Sequence, residues 1–277
     1  MIPIRIKQFP QLVKQTYERS VVLRRAPPAD TTFHLCFFSC HSYFSYLYCS
    51  LHSLVKHLHG VSFRVIIFSD TDQPLSPVQV DTILELIPNA EVILWPKSMG
   101  WGAEQIGWIW KAYEHAAVGV RENDYIARID SDVFFFNDRI FHAVAKSEAD
   151  FIGDGHFVDF KYCQGGCYFF RASAVQKIVT MIEKESMVAL LKSVDVVVED
   201  VAAYYFAKRL DMAVWQTWFM MFPDELRNAG GLTTWQRWKF SCAHFVMKNK
   251  AEMLKAYQKE VLKGNAPAEY LKALESV

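Results

Sequence analysis

Asp124-Tyr125-Ile126-Ala127-Arg128-Ile129-Asp130-Ser131-Asp132-Val133-Phe134-Phe135-Phe136 joins one apolar, β-leaning run to another through two carboxylates separated by a single serine. Side chains two apart on an extended segment project to the same side, so Asp130 and Asp132 can converge while Ser131 faces away. Converging carboxylates at a strand end suit a hard divalent cation, and Mg²⁺ or Mn²⁺ held this way keeps open positions for substrate phosphates. An isolated Asp-x-Asp is more often a solvated turn, because Asp and Ser are ordinary turn residues. Here the acids lie between Ile129 and the apolar residues 133–136, beside an expected buried strand where unpaired charge is costly.

Upstream, strand and helix patterns alternate. Phe33-His34-Leu35-Cys36-Phe37-Phe38 reads as a buried strand, and residues 45–59 as a helix stopped by Gly60. A second strand is expected over 63–68, ending at Ser69-Asp70-Thr71-Asp72, then a helix over 76–87 entered from Pro74 and Pro77. A third strand over 91–95 and a helix over 103–117 precede the fourth strand, 125–129. This order predicts an α/β fold, a mostly parallel sheet with helices on both faces. Ligands of such sheets bind beyond the carboxyl ends of the strands, and Ser39-Cys40-His41, Asp70 and Asp130-Ser131-Asp132 all fall at such ends.

The second half is less regular. Strands are expected at 151–153 and 165–170 and helices over 173–192 and 201–210, with an extended 194–198 leading into Glu199-Asp200. An aromatic-rich stretch over 215–238 leads to Cys242-Ala243-His244-Phe245 and a lysine-rich helical tail from about residue 250. No internal repeat, linker or low-complexity segment divides the chain, which suits one domain with two halves.

Of the 277 residues, 52% are hydrophobic and 15% aromatic, enough to bury a large core. The formal net charge is zero, so the chain as a whole offers no basic footprint for duplex nucleic acid. Cys36-x3-Cys40 and Cys163-x3-Cys167 lack zinc-ribbon spacing, and all six cysteines read as reduced structural thiols, which suits the cytoplasm. No apolar run approaches the length that spans a bilayer, and charge and proline break residues 1–10, unlike a signal peptide. A soluble protein is expected. Residues 1–30 are locally basic, with Arg5, Lys7, Lys14, Arg19, Arg24 and Arg25 against Glu18 and Asp30. Such an arm could touch anionic lipid heads as a peripheral contact at the inner membrane face, although a solvated extension is the commoner case.

The order of parts resembles the nucleotide-sugar-dependent glycosyltransferases of the GT-A fold, over roughly residues 31–250. Ile129-Asp130-Ser131-Asp132 looks like that family's Asp-x-Asp element, whose acids hold Mn²⁺ or Mg²⁺ against the donor diphosphate. The local charge marks a basic extension over 1–30, and the resemblance implies a catalytic domain over 31–250. Within that domain it implies a nucleotide-sugar half (31–137) and an acceptor half (138–250), followed by a helical tail over 251–277. Gln164-Gly165-Gly166-Cys167-Tyr168-Phe169-Phe170 looks like the glycine-containing strand lining the sugar pocket, though a bulge explains glycine there equally well. Glu199-Asp200 is similar to the acidic pair facing the acceptor, and Asp200 also falls where a helix N-cap belongs. His244, with Lys248 beyond it, resembles the C-terminal histidine and lysine that serve metal and phosphates in the glycogenin-like branch. That branch's glycine is absent at Val246 and Met247, its Pro-Trp is absent after Lys248, and an ordinary core histidine is the alternative.

Other donor-side candidates each carry a plainer reading. Ser39 and Ser131 sit beside the strand ends. Asp70 could accept from a base or ribose, or simply make a turn. His41 could reach uracil or phosphate, but histidine is common in this chain. Arg128 could pair with a site carboxylate or sit on a solvated strand face. Lys111 falls on the helix where the family often places a basic residue for the donor; a snorkelling surface lysine is the alternative. The leading expectation is a metal-dependent transferase moving a sugar from a UDP-sugar to a hydroxyl of a glycan or lipid-linked saccharide. A nucleotidyltransferase or sugar pyrophosphorylase would want a glycine-rich phosphate loop after the first strand, and Ser39-Cys40-His41-Ser42-Tyr43-Phe44 has no glycine. Transfer to a modified nucleic-acid base and a non-catalytic sugar-nucleotide-binding module are the remaining alternatives.

Overall fold

Strand β1 (Thr32–Ser39) pairs in parallel with β2 (Ser62–Ser69) on one side and with β4 (Tyr125–Asp130) on the other, and this triplet carries the rest of the sheet. These details come from a computed structural model, which describes residues 9–25, 30–98, 100, 102–192, 194, 197–222, 239–246 and 250–262. Strand β3 (Glu91–Leu94) adds in parallel beside β2. Beyond β4 come β7 (Cys167–Arg171), β6 (Phe151–Gly153) and β8 (Val214–Gln216), giving the order β3-β2-β1-β4-β7-β6-β8. Only β7 runs against its neighbours, and β8 lies parallel to β6. The sheet is therefore mostly parallel, as the alternating pattern predicts.

Both faces of this sheet are covered, which explains why β1 reads as a continuous apolar run and not an alternating one. Phe33, Leu35 and Phe37 enter one core, with α2 (Phe44–His57) and α3 (Pro77–Leu86). Cys36, Ile66 and Ile126 enter the other, with α4 (Ala103–Ala116) and α6 (Ala172–Lys184). Local signals set several boundaries. Ser76 caps α3 through a reciprocal capping box with Gln79, and Pro77 occupies the first turn. The expected helix over 173–192 is instead two, because Glu185 is extended and Ser186 caps a fresh start, α7 (Met187–Leu191).

The run Val133–Phe135 does not extend the main sheet. It forms β5 of a three-stranded sheet, order β5-β10-β9, with β9 (Met220–Met221) and β10 (Cys242–His244). Helix α5 (Arg139–Ser147), unanticipated in the sequence, follows β5 and buries Ile140, Phe141 and Val144. All six cysteines are free thiols.

The N-terminal region differs from the expected solvated extension. Residues Phe9–Leu23 form helix α1, packed on α5, with Gln15 and Val22 buried. Arg19 donates from Nη1 to the carbonyls of Trp218 (3.3 Å) and Lys239 (3.2 Å), tying α1 to the second half of the chain. Nor is the C-terminal helix, α9 (Lys250–Glu260), a detached tail, since its Met253 and Tyr257 are fully buried against α2. Replacing Arg19 by Met leaves two carbonyls without this donor, so urea unfolding should show a loss of about 1–3 kcal/mol. A solvated arm would show none.

Candidate active site at the carboxyl edge of the sheet

The parallel register aligns the strand ends. Ser39 stands opposite Ser69, and Phe38 opposite Asp130, so the loops after β1, β2 and β4 open on one edge. Asp130 is the last residue of β4, and its N–H donates to the Gly166 carbonyl at 2.9 Å. Ser131 turns away and donates to the Phe38 carbonyl at 3.3 Å, leaving the two aspartates on the other side of the turn. The antiparallel pairing of β5 with β10 sets His244 opposite Val133, and the Phe245 N–H donates to the Asp132 carbonyl at 2.9 Å. His244 is thereby brought to the Asp-x-Asp turn from more than a hundred residues away. Its Nε2 lies 3.1 Å from Asp132 Oδ1 and 3.5 Å from Asp130 Oδ2. Ligand-capable atoms of these three residues all fall within 4.8 Å of one another.

The imidazole is held in place. Gln164 Nε2 lies 3.3 Å from His244 Nδ1, while Gln164 Oε1 accepts the Gly166 N–H at 2.8 Å. A Cβ on Gly166 would come within 2.7 Å of His244 Cγ and Cε1, so this glycine is needed for the close approach of the ring.

Buried charge dominates the surroundings. Arg128 meets Asp130 Oδ1 at 2.9 Å through Nη2 and bonds Glu199 Oε2 through Nη1. Glu199 also accepts from the Tyr113 hydroxyl at 3.1 Å, and the hydroxyls of Tyr113 and Tyr168 share a hydrogen bond of 2.8 Å. Lys250 Nζ lies 3.3 Å from Asp132 Oδ2. Burial pushes the Asp130 carboxyl above its ordinary range despite Arg128 and His244. For Asp132, burial acts upward, but the hydrogen bond and charge of His244 and the Lys250 ammonium outweigh it and hold the carboxyl low. Two adjacent acids are thus made unequal by their partners.

Helix α8 (Glu199–Arg209) begins at Glu199, with Val198 as its N-cap, so Asp200 is a first-turn residue and not the expected cap. Asp200 Oδ2 accepts the Gly165 N–H at 3.1 Å and Oδ1 the Val201 N–H at 2.9 Å, and burial raises its carboxyl. Glu199 is enclosed by Arg128 and Tyr113 and is the more buried of the two.

The remaining candidates are spread along the edge. Ser39 is buried, and its hydroxyl has no hydrogen-bond partner among the described residues. The main chain of His41 is tied to Gln73 and Gln79, and its residue is exposed. Asp70 makes the plain turn, accepting from the N–H groups of Asp72 and Gln73 through Oδ1 and from Ser98 through Oδ2. Lys111 does not enter the carboxylate cluster; it is exposed, with its ammonium 4.3 Å from the centre of the Trp108 ring. The α4 residue that reaches the cluster is Tyr113, on the buried stripe Ile106, Ile109, Trp110, Tyr113, whose helical spacing is legible in the sequence. Lys248 lies outside the described residues, and Lys250 is the lysine that meets an aspartate.

No family model and no curated protein matches the chain. Solved structures do. The apo structure of the bifunctional glycosyltransferase WbbM superposes with a TM-score of 0.58 at 11% identity, covering 87% of this chain and 52% of WbbM. This chain thus spans about half of WbbM. An active-site mutant of LgtC superposes with a TM-score of 0.52 at 10% identity, covering 86% of this chain and 98% of that one. The chain has the GT-A fold. Within this GT-A chain the carboxylate–histidine cluster occupies the edge where ligands of open α/β sheets bind. Gly166→Ala should displace His244 and, as an overpacking change, cost about 1–3 kcal/mol. Thermal unfolding should show the lower melting temperature.

Proposed function

We propose that the chain is a divalent-metal-dependent glycosyltransferase that moves a sugar from a UDP-sugar to a hydroxyl of a glycan or lipid-linked saccharide. The observation carrying this reading is the convergence of Asp130, Asp132 and His244 at the carboxyl edge of a GT-A sheet. Two carboxylates and an imidazole are a fitting donor set for Mn²⁺ or Mg²⁺, and Gln164 and the bare Gly166 already orient the ring. When bound, the ion would supply positive charge to the nucleoside diphosphate as it departs.

The protein's own groups have separable tasks in this reading. Arg128 favours the charged form of Asp130 against burial and aims it, and Glu199 keeps Arg128 in place. Ser39, His41, Asp70 and Ser131 border the donor half, while Gly165 and Gly166 make room for Asp200 and His244. Asp200 faces the acceptor as general base, or the sugar as charge stabiliser. A lipid-linked acceptor fits a peripheral contact with the inner membrane face through α1, which exposes Val13, Tyr17 and Val21 beside Lys14, Arg24 and Arg25. Among the described residues, no helix is long and apolar enough to cross a membrane.

UDP and Mn²⁺ together should raise the melting temperature well beyond either alone, by about 2.7 kcal/mol of added stability at a hundredfold excess over the dissociation constant. A UDP-induced shift that survives EDTA would sink the metal-bridged reading. Asp130→Ala or Asp132→Ala should lower transfer by about 10²-fold or more. Asp200→Asn should keep the UDP·Mn²⁺ shift while losing about 10² to 10⁴ of the transfer rate, as for a lost general base. Near-normal turnover in that variant would assign Asp200 to holding the Gly165 backbone.

A further inference from the structure

All four oxygens of the aspartate pair already face protein nitrogens. Asp130 has Arg128 on Oδ1 and His244 on Oδ2, and Asp132 has His244 on Oδ1 and Lys250 on Oδ2. The two cations in this set are not alike. Arg128 is shared between Asp130 and Glu199, so moving it would strand a second buried carboxylate. Lys250 pairs with Asp132, and its ammonium lies 3.7 Å from the centre of the Tyr43 ring and 5.6 Å from that of Tyr46. A four-carbon stem lets that ammonium swing while its backbone stays put.

The backbone does stay put. Lys250 opens α9, whose Met253 and Tyr257 are buried on α2. The Tyr257 hydroxyl lies 2.9 Å from His52 Nδ1, and Lys56 donates to the Glu260 carbonyl. A lysine in the first turn of a helix is opposed by the helix dipole, so α9 itself gains nothing from having one there. Asp132 is what the residue serves.

We propose that Lys250 is a resident counter-cation. It occupies Asp132 Oδ2 while no divalent ion is bound and competes with the ion for that oxygen. The inference rests on the metal reading given above. Two cations on one carboxylate repel each other, which sets the sign: removing the ammonium must tighten the ion. A lysine that merely braced Asp132 would have the opposite effect when lost.

The test is Mn²⁺ binding followed by electron paramagnetic resonance on wild type, Lys250→Met, Lys250→Arg and Asp132→Asn. Lys250→Met should bind Mn²⁺ about tenfold or more tightly than wild type, the scale of losing a like charge a few ångströms away. Lys250→Arg, which keeps the charge and guards against a folding defect, should stay near wild type in Mn²⁺ affinity. Mn²⁺ affinity abolished by Asp132→Asn but unchanged or weakened in Lys250→Met overturns the role of Lys250 alone. Mn²⁺ affinity indifferent to Asp132→Asn places the ion elsewhere and overturns the metal reading together with this one.

Discussion

One guanidinium holds the site together. Arg128 lies between Asp130 and Glu199, and through Glu199 it reaches Tyr113 and then Tyr168. That chain of contacts fastens β4, α4, β7 and α8 to one another around charges that the interior would otherwise reject. Removing a partner from such a set is far costlier than the set is stabilising, because each deletion leaves a buried charge uncompensated. The arrangement is best understood as a device that fixes where the Asp130 carboxylate points.

The sheet supplies the edge, and the smaller sheet supplies the third ligand candidate. Parallel register brings the ends of β1, β2 and β4 level, which collects loop side chains from residues 39, 70 and 130. That alone would give two acids and a turn. The pairing of β5 with β10 adds His244, and the absence of a side chain at Gly166 lets the ring come close. Gly165 plays the matching part beside Asp200, where an added Cβ would stand 3.3 Å from the carboxylate.

Much of the first half was legible because its elements are local and doubly buried. The apolar runs of β1, β2 and β4, the capping box at Ser76 and the glycine after α2 each announce themselves within a few residues. The aspartate pair was legible for the same reason. What escaped was non-local. Nothing near residue 133 says that Val133–Phe135 leaves the main sheet to pair with Cys242–His244. The burial of helix α1 depends on α5 and on carbonyls two hundred residues away. Position along the helix points to Lys111, whereas its helical angle turns it outward and turns Tyr113 inward. Asp200 reads as a cap because strand and helix propensities fix a boundary only to within a residue or two.

The insertion of β10 between β5 and β9 has a consequence for how the chain is made. During synthesis, residues up to Asp132 can emerge and begin to fold long before His244 leaves the ribosome. Until β10 arrives, β5 and β9 lack the strand that lies between them, and the two aspartates lack their histidine. Loop closure over such a separation is slow relative to local helix formation. A nascent chain therefore carries a nearly finished sheet with an unfinished site. The carboxylate–histidine cluster is completed late, once the last strand of the smaller sheet has been threaded home.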